Sequence, residues 1–419
     1  MNHETPVVIL RSGHHGGLGI VRSLGRLGVP VYCVDSDWWE PAFSSRYCRG
    51  RFLLNIESDS PEESVASLLK IGQRIGGRPI LIPTTDDAAI WTAEHAAALE
   101  SGYRFPHLDA SLVRLLCNKG CMQKLARRSG VPTAQAVVPR SKADVESFLE
   151  TAIFPVMVKA TDGNSLRLRA GGTKFVVDTP RELLDLYAKA EDPRAPNLII
   201  QEFIPGEDWM FDGYFDRNSN CLLGVTGKKI RRFPAYTGVT SLGVCLHNET
   251  VEKTTIEFMK AIGYQGILDI GYRYDRRDGQ YKVLDVNPRI GCTFRLFTAT
   301  NGIDVARALY LDMTGQEVVP GQAAEGRKWV VEDFDVFSAI RSRRDGALKL
   351  KDWVKSFRGV EEAACFALDD PLPFLMMGLA DCCEFYRWFR CQMATRQPAS
   401  PEEVLHPRSG LKPSTSAEE

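Results

Sequence analysis

The chain of 419 residues is too long for one ordinary core and fits two to four domains or one multi-lobed enzyme. Apolar residues make up 44% and charged residues 25%, with 52 Lys plus Arg against 53 Asp plus Glu, a formal charge of −1. That balance lacks the cation excess a general nucleic-acid binder uses to release counterions from a phosphate backbone, and no apolar run reaches the ~20 residues that span a bilayer.

The opening residues carry no cationic leader segment. Eleven cysteines are odd in number and never spaced Cys-x-x-Cys, the usage expected of reduced thiols in a cytoplasmic protein. Val7–Leu10 reads as a short apolar strand, followed by the glycine-bearing stretch 12–19 and an amphipathic helix over 20–27. A second strand over 29–34 ends at Asp35. A third, 79–82, leads through Pro83-Thr84-Thr85-Asp86-Asp87 into a helix over 88–100. This alternation predicts a parallel α/β sheet. Gly17-x-Gly19 invites a dinucleotide reading with Asp35 on a ribose, but Arg22 stands where the fingerprint needs a third glycine, and a tight turn of small residues explains the segment as well.

A helix is expected over 117–129, a strand over 155–159, a polar glycine-bearing loop over 160–172, a strand over 173–177 and a helix over Pro180–Ala190. Strands over 221–229 and 266–274 flank a helix over 251–262, and Gln280–Asn287 closes a hairpin across residues 276–279. This middle part is α+β. Helices are expected over 329–343, 349–357 and from Asp370-Pro371 to about 393, while the Pro, Ser and Glu content after 397 predicts a disordered tail.

Chemistry concentrates in Lys282-Val283-Leu284-Asp285-Val286-Asn287-Pro288-Arg289. Strand alternation puts Asp285, Asn287 and Arg289 on one face with Val283, and turns Leu284 and Val286 into a core. Two hard oxygen ligands beside a cation suit a Mg²⁺–phosphate site, with Arg clamping an oxyanion, and Asp269 on a neighbouring strand would complete it. The competing explanation is a surface ion pair at a strand end. Gln201-Glu202-Phe203-Ile204 ends an apolar strand before a Pro-Gly turn and the acids Glu207 and Asp208. Such a segment can read an adenine edge and hold a ribose. Lys159 ends an apolar strand ahead of the glycine-bearing loop, where a lysine either reaches solvent or meets an anion. Lys228, Lys229, Arg231 and Arg232 form a cationic run in which Lys229 and Arg231 share a strand face; they either line a cleft or are merely solvated.

In this order the segments resemble the ATP-grasp superfamily over roughly residues 5 to 320. Arg22-Ser23-Leu24-Gly25, Ser45-Arg46-Tyr47, Lys229-x-Arg231 and Pro234-x-x-x-Gly238 look like its carboxylate–amine ligase branch, near D-aspartate ligases. The resemblance implies a Rossmann-like N-terminal domain over 1–115 and an ATP-grasp domain over 116–320, with a lid at about 130–200 and a catalytic part at about 201–320. A helical extension over 321–396 and the tail 397–419 would follow. It implies Lys119 and Lys159 on the ATP phosphates, Gln201 on the adenine amino group, and the backbones around Phe203, at Glu202 and Ile204, on the adenine edge. Glu207 would take the ribose, with Asp208 as the alternative ligand. Asp269, Asp285 and Asn287 would hold Mg²⁺, with Mn²⁺ as a substitute, and Arg289 would stabilise an acyl phosphate, with Lys229 and Arg231 in the catalytic face. Relatives usually carry Glu at the two acidic metal positions, and Asp is one methylene shorter.

The expected activity is ATP-dependent joining of a small-molecule carboxylate to an amine, by a cytoplasmic enzyme with no nucleic-acid partner and with homo-oligomerisation left open. An NAD-dependent oxidoreductase and a non-catalytic ATP-binding protein are the alternatives.

Overall fold

Strand β1 (Val7–Leu10) is apolar on both faces, so it needs cover on both sides. A computed structural model describes residues 2–379 apart from 14, 58–59, 162–164, 173, 193, 195 and 237. In it β1 lies inside a parallel sheet with β2 (Val31–Asp35), β3 (Cys48–Leu53) and β4 (Ile80–Pro83), in the order β3-β2-β1-β4. Helices α1 (His15–Gly25), α2 (Pro61–Ile75), α3 (Asp86–Glu94) and α4 (Ala96–Leu99) follow its strands. Helix α1 starts five residues before the expected helix and takes the glycines into its first turns. The reason is packing. A Cβ on Gly16 would stand 3.1 Å from the Cys292 Cα and one on Gly19 2.9 Å from the Phe294 ring, while one on Gly17 would strike the Ser12 carbonyl. Gly16 and Gly19 seat α1 against residues 292–294 and Gly17 lets it pass close to Ser12, so the dinucleotide reading loses its phosphate loop.

The helix expected over 117–129 is the second of a pair, α5 (Ala110–Cys117) and α6 (Lys119–Arg128). They break at Asn118, whose side chain caps α6 by accepting from the Cys121 N–H. A second sheet, ordered β5-β8-β6-β7, contains β5 (Ala136–Val137), β6 (Val156–Ala160), β7 (Lys174–Val177) and β8 (Leu198–Glu202). It packs on α7 (Lys142–Leu149), α8 (Ser165–Ala170) and α9 (Pro180–Ala190) through Val156, Val158, Leu183, Leu198 and Ile200. Helix α8 lies within the stretch expected to be loop. Helix α9 has the expected bounds, set by the Thr179 cap and Pro180 in its first turn.

The third sheet has seven strands in the order β13-β12-β9-β10-β11-β14-β15. These are β9 (Gly206–Phe215), β10 (Cys221–Phe233), β11 (Val239–Cys245), β12 (Gly266–Asp275), β13 (Gln280–Asn287), β14 (Lys328–Val330) and β15 (Val360–Ala363). One face buries Phe211, Phe215, Leu268 and Ile270 with Phe258 and Met259 of α10 (Glu249–Ala261). The other buries Met210, Tyr214 and Ile267 with Leu309 and Tyr310 of α11 (Val305–Met313), in a core that also holds Val7 and Ile9 of the small sheet. The extension expected to be helical therefore adds two strands to this sheet. Trp329, expected in a helix, pairs with Gly243 on β11 and is fully buried. Helices α12 (Glu332–Arg344) and α13 (Leu350–Ser356) complete it.

The signature residues of the first domain hold the end of the described chain. The buried Arg22 donates from Nε to Asp370 at 2.9 Å and to the carbonyls of Ala364, Cys365 and Asp370. Ser45 and the Arg46 N–H donate to the same carboxylate, and Arg26 and Tyr47 donate to Asp369. Helical turns follow over 372–379; the expected continuation to about 393 and the tail 397–419 lie outside the described residues. No helix among the described residues is long and apolar enough to cross a membrane.

Candidate active site

Antiparallel pairing of β12 with β13 sets Asp269 directly opposite Asn287, whose Nδ2 donates to the Asp269 carboxylate at 3.2 Å. Asp285 pairs with Gly271, and a Cβ there would lie 2.9 Å from the Asp285 Oδ1, so glycine leaves room for the carboxylate. Beyond the strand end, the Arg289 guanidinium donates to Asp86 at 2.8 Å and to the Ile290 carbonyl, and stands 3.6 Å from Asp269. Asp269, Asp285, Asn287 and Arg289 thus form one group.

Asp285 is exposed and lies within electrostatic reach of Lys159 and Lys174 of the second sheet. Burial resists its ionisation, but Lys229, Lys174, Lys159 and Lys119, in falling order, outweigh it and hold the carboxyl below its usual range. Lys159 and Lys174 sit directly opposite each other on β6 and β7. Burial first, and mutual repulsion among the cations next, push Lys159 down to about 7; burial brings Lys174 to about 8. The Lys159 ammonium donates to Gln201 Oε1 at 3.1 Å. Four lysines within electrostatic reach of one exposed carboxylate give this face the charge that a polyanion accompanied by a cation would require.

The matching family model is the carbamoyl-phosphate synthase L chain, ATP binding domain, over residues 226–312. A D-aspartate ligase of Enterococcus faecium is 28% identical over 241 residues, covering 54% of this chain and 57% of that protein. The aligned stretch is thus little more than half of that relative. Among solved structures, N5-carboxyaminoimidazole synthetase from Staphylococcus aureus complexed with ADP superposes with a TM-score of 0.60 at 13% identity, covering 78% of this chain and 82% of that one. L-amino acid ligase from Bacillus licheniformis gives 0.56 at 18% identity, covering 75% of each. The chain has the ATP-grasp fold.

Within the ATP-grasp frame several expected site residues take other positions. Arg231 does not share the Lys229 face. Register shifts on β10 around Ile230 turn Arg231 toward α12 and α13, where Asp335 and Ser356 respectively accept from it, each at 2.8 Å. Arg232 takes the vacated parity and pairs with Asp208 at 2.9 Å. Asp208 is buried and also accepts two bonds from Arg273, at 2.8 and 2.6 Å, so it is no free ribose ligand. Glu207 is the more open acid, held by Lys228 at 2.7 Å.

The Glu202 N–H is committed to the Gln135 carbonyl, and the Glu202 carboxylate to Arg277 and Lys282. The Ile204 carbonyl accepts from Arg273, whose guanidinium lies 5.6 Å over the Phe203 ring. The adenine contacts expected of Glu202 and Ile204 are therefore limited to their remaining backbone groups. Val283, expected beside Asp285, is buried with Val286 instead, because a bulge at Leu284 shifts the β12–β13 register.

The sequence reading missed three residues. Lys174 could have been suspected as a lysine across the loop from Lys159. Asp86 reaches Arg289 from 203 positions away and left no local signal. Asp212 faces Asp269 across β9 and β12, fully buried, with neither carboxylate oxygen hydrogen-bonded among the described residues. Burial, then repulsion from Asp269, raises its carboxyl well above the usual range.

Proposed function

We propose that this ATP-grasp protein joins a carboxylate to an amine at the expense of ATP. The carboxylate oxygen attacks the γ-phosphorus and ADP leaves; the amine then attacks the carbonyl of the acyl phosphate and phosphate departs with the former carboxylate oxygen, leaving an amide. The observation that carries this reading is the exposed Asp285 carboxylate, on which Lys229, Lys174, Lys159 and Lys119 all act electrostatically. Those cations offset charge on a transferring phosphoryl group, where most phosphoryl-transfer catalysis resides. Arg289, fixed by Asp86, is oriented to meet the developing oxyanion.

Mg²⁺ fits the donor set. Asp285 is held ionised, Asp269 and Asn287 are hard oxygen donors beside it, and no group of three or more His, Cys, Asp or Glu among the described residues forms a full cage. Mg²⁺ characteristically takes one or two carboxylates and completes its shell with phosphate oxygens and water. When bound it would neutralise phosphate charge. Glu207 is the ribose ligand in this reading, and Gln201 borders the adenine end. An ATP-consuming reaction also suits the cytoplasmic location expected from the sequence.

The names of the D-aspartate ligase and L-amino acid ligase relatives support trying amino acids first. The test is phosphate release from ATP across a matrix of amino acids, other carboxylates and amines, with the product identified by mass. A carboxylate- and amine-dependent burst of phosphate with an amide of the summed mass, less water, is expected. Tight ATP binding without turnover for any pair would leave the non-catalytic alternative standing.

A further inference from the structure

Helix α12 turns Asp335 and Ser338 toward β10, where Asp335 accepts from Arg231 and Ser338 donates to the Arg232 carbonyl at 2.6 Å. The helical period then sends Val336, Ile340 and Arg343 to the outer side. Helix α13 is fixed beside it by Trp353, whose indole N–H donates to the same Asp335 at 2.9 Å. Val336, Ala339, Ile340, Leu348 and Leu350 line an apolar groove between the two helices, and Val354 follows Leu350 by one turn. The aliphatic side chains stand well out of the protein. Val336 is 42% exposed, Ile340 45%, Leu350 51% and Val354 59%. Aliphatic residues exposed singly are ordinary, but a contiguous group on two neighbouring helices marks an interaction surface.

Charge surrounds this group and is left unneutralised. Arg343, Arg344, Lys349, Lys351, Lys355 and Arg358 are exposed, and none enters an ion pair among the described residues. Of the acids in the stretch 341–358, Asp345 is taken by Arg341 at 3.0 Å, which leaves Asp352 alone to balance them. The whole chain carries a formal charge of −1, so this face is a local cationic excess on a nearly neutral protein.

We propose that the α12–α13 face docks on an anionic bilayer surface, with the aliphatic side chains entering the headgroup boundary and the cations meeting lipid phosphates. Aliphatic residues bordered by Lys and Arg are the composition of an interfacial helix, and each cation near an anionic leaflet adds attraction. Lysine and arginine stems lie along apolar surface while their heads reach the phosphates. The same composition disfavours a protein partner. Lys349, Lys351 and Lys355 are of a type depleted at protein interfaces, and the aromatic member of the groove wall, Trp353, is committed to Asp335. A nucleic acid would use the cations but leave the aliphatic side chains in water. This attachment goes beyond the ligase chemistry and does not depend on it.

The full chain is sedimented with vesicles of phosphatidylcholine alone and of phosphatidylcholine with about one-third phosphatidylglycerol. Wild type should bind the anionic vesicles with half-saturation on the order of 0.1–1 mM lipid and leave the neutral ones unbound. Raising the salt to about 0.5 M should weaken that binding by tenfold or more. The double variant Lys351→Glu, Lys355→Glu should weaken it by about tenfold or more. Leu350→Ser with Val354→Ser keeps every charge and should weaken it by about tenfold. Thermal stabilisation by ATP, unchanged in both variants, shows that they fold. Absence of binding to the anionic vesicles, or equal binding by both folded variants, would overturn the proposal. Loss with the charge reversal but none with the serine pair would mark a surface for an acidic protein or nucleic acid and would overturn the bilayer as its partner.

Discussion

The hairpin of β12 and β13 carries acids at both ends, and the two ends treat them oppositely. Near the turn, Asp275 lies against Arg277 and Lys282 at 2.6 and 2.7 Å, Glu202 shares the same two cations, and Asp208 is gripped by Arg273 and Arg232. At the open end, Asp285 enters none of the contact ion pairs found among the described residues, although four lysines act on it electrostatically. Contact pairing satisfies a charge and fixes structure. Convergence on Asp285 without a contact ion pair leaves its carboxylate available for a ligand. Sequence composition is blind to this distinction, since both ends read as acids interleaved with Lys and Arg.

Breaking the closed end should cost the fold. Arg273→Met strips the buried Asp208 of its doubly bonded partner and should destabilise the protein by about 3–5 kcal/mol, read by chemical denaturation. A loss below about 1 kcal/mol would mean that this network is not structural. Breaking the open end should cost chemistry. Asp285→Asn should lower ATP turnover by about 100- to 1,000-fold with a melting temperature close to wild type, measured by steady-state kinetics and thermal denaturation of the same preparation. Wild-type turnover with saturating Mg²⁺ would remove Asp285 from the site.

Between these limits, the lysines give a proton signature. Lys159 and Lys174 are lowered to about 7 and about 8 in the free protein, so near pH 8 both are partly neutral. Bound phosphates favour the charged form and raise both values. ATP binding near pH 8 should therefore take up on the order of one proton, visible as a buffer-dependent heat in titration calorimetry and diminished in Lys159→Met. Uptake that is absent in wild type would contradict the lysine assignment.

The smallest expected effect concerns Asp212. Its carboxyl is raised when folded, so as the pH climbs above the usual carboxylate range the unfolded chain loses this proton while the folded chain keeps it. Stability then falls with rising pH until the raised value is passed. Asp212→Asn should flatten that slope and leave the protein at least as stable as wild type at pH 8, as measured by denaturation at several pH values. An unchanged slope would mean that Asp212 does not carry this proton.

What was legible in the sequence was local. The hairpin Gln280–Asn287, the buried strand β6 ending near Lys159, and helix α9 with its Thr-Pro start all declare themselves within a few residues. The ordered motif series likewise exposed the ATP-grasp fold. What failed depended on register or on distant partners. Period-two reasoning is sound until a bulge inserts one residue, and bulges near Leu284 and Ile230 reversed Val283 and Arg231. Trp329 looked helical because its strand is only three residues long and exists to pair with β11. Asp86 and Asp370 act through Arg289 and Arg22, far along the chain. The glycines at 16, 17 and 19 resembled a phosphate loop because close packing and phosphate contact both demand a missing side chain.

Whether the open end of the hairpin supports acyl-phosphate formation is decided by oxygen transfer. With a turning-over substrate pair and an ¹⁸O-labelled carboxylate, the released phosphate is analysed by mass. Attack of the carboxylate on the γ-phosphorus predicts one labelled oxygen in each phosphate formed, and loss of that signal in Asp285→Asn in step with turnover. Amide formation with unlabelled phosphate would contradict it.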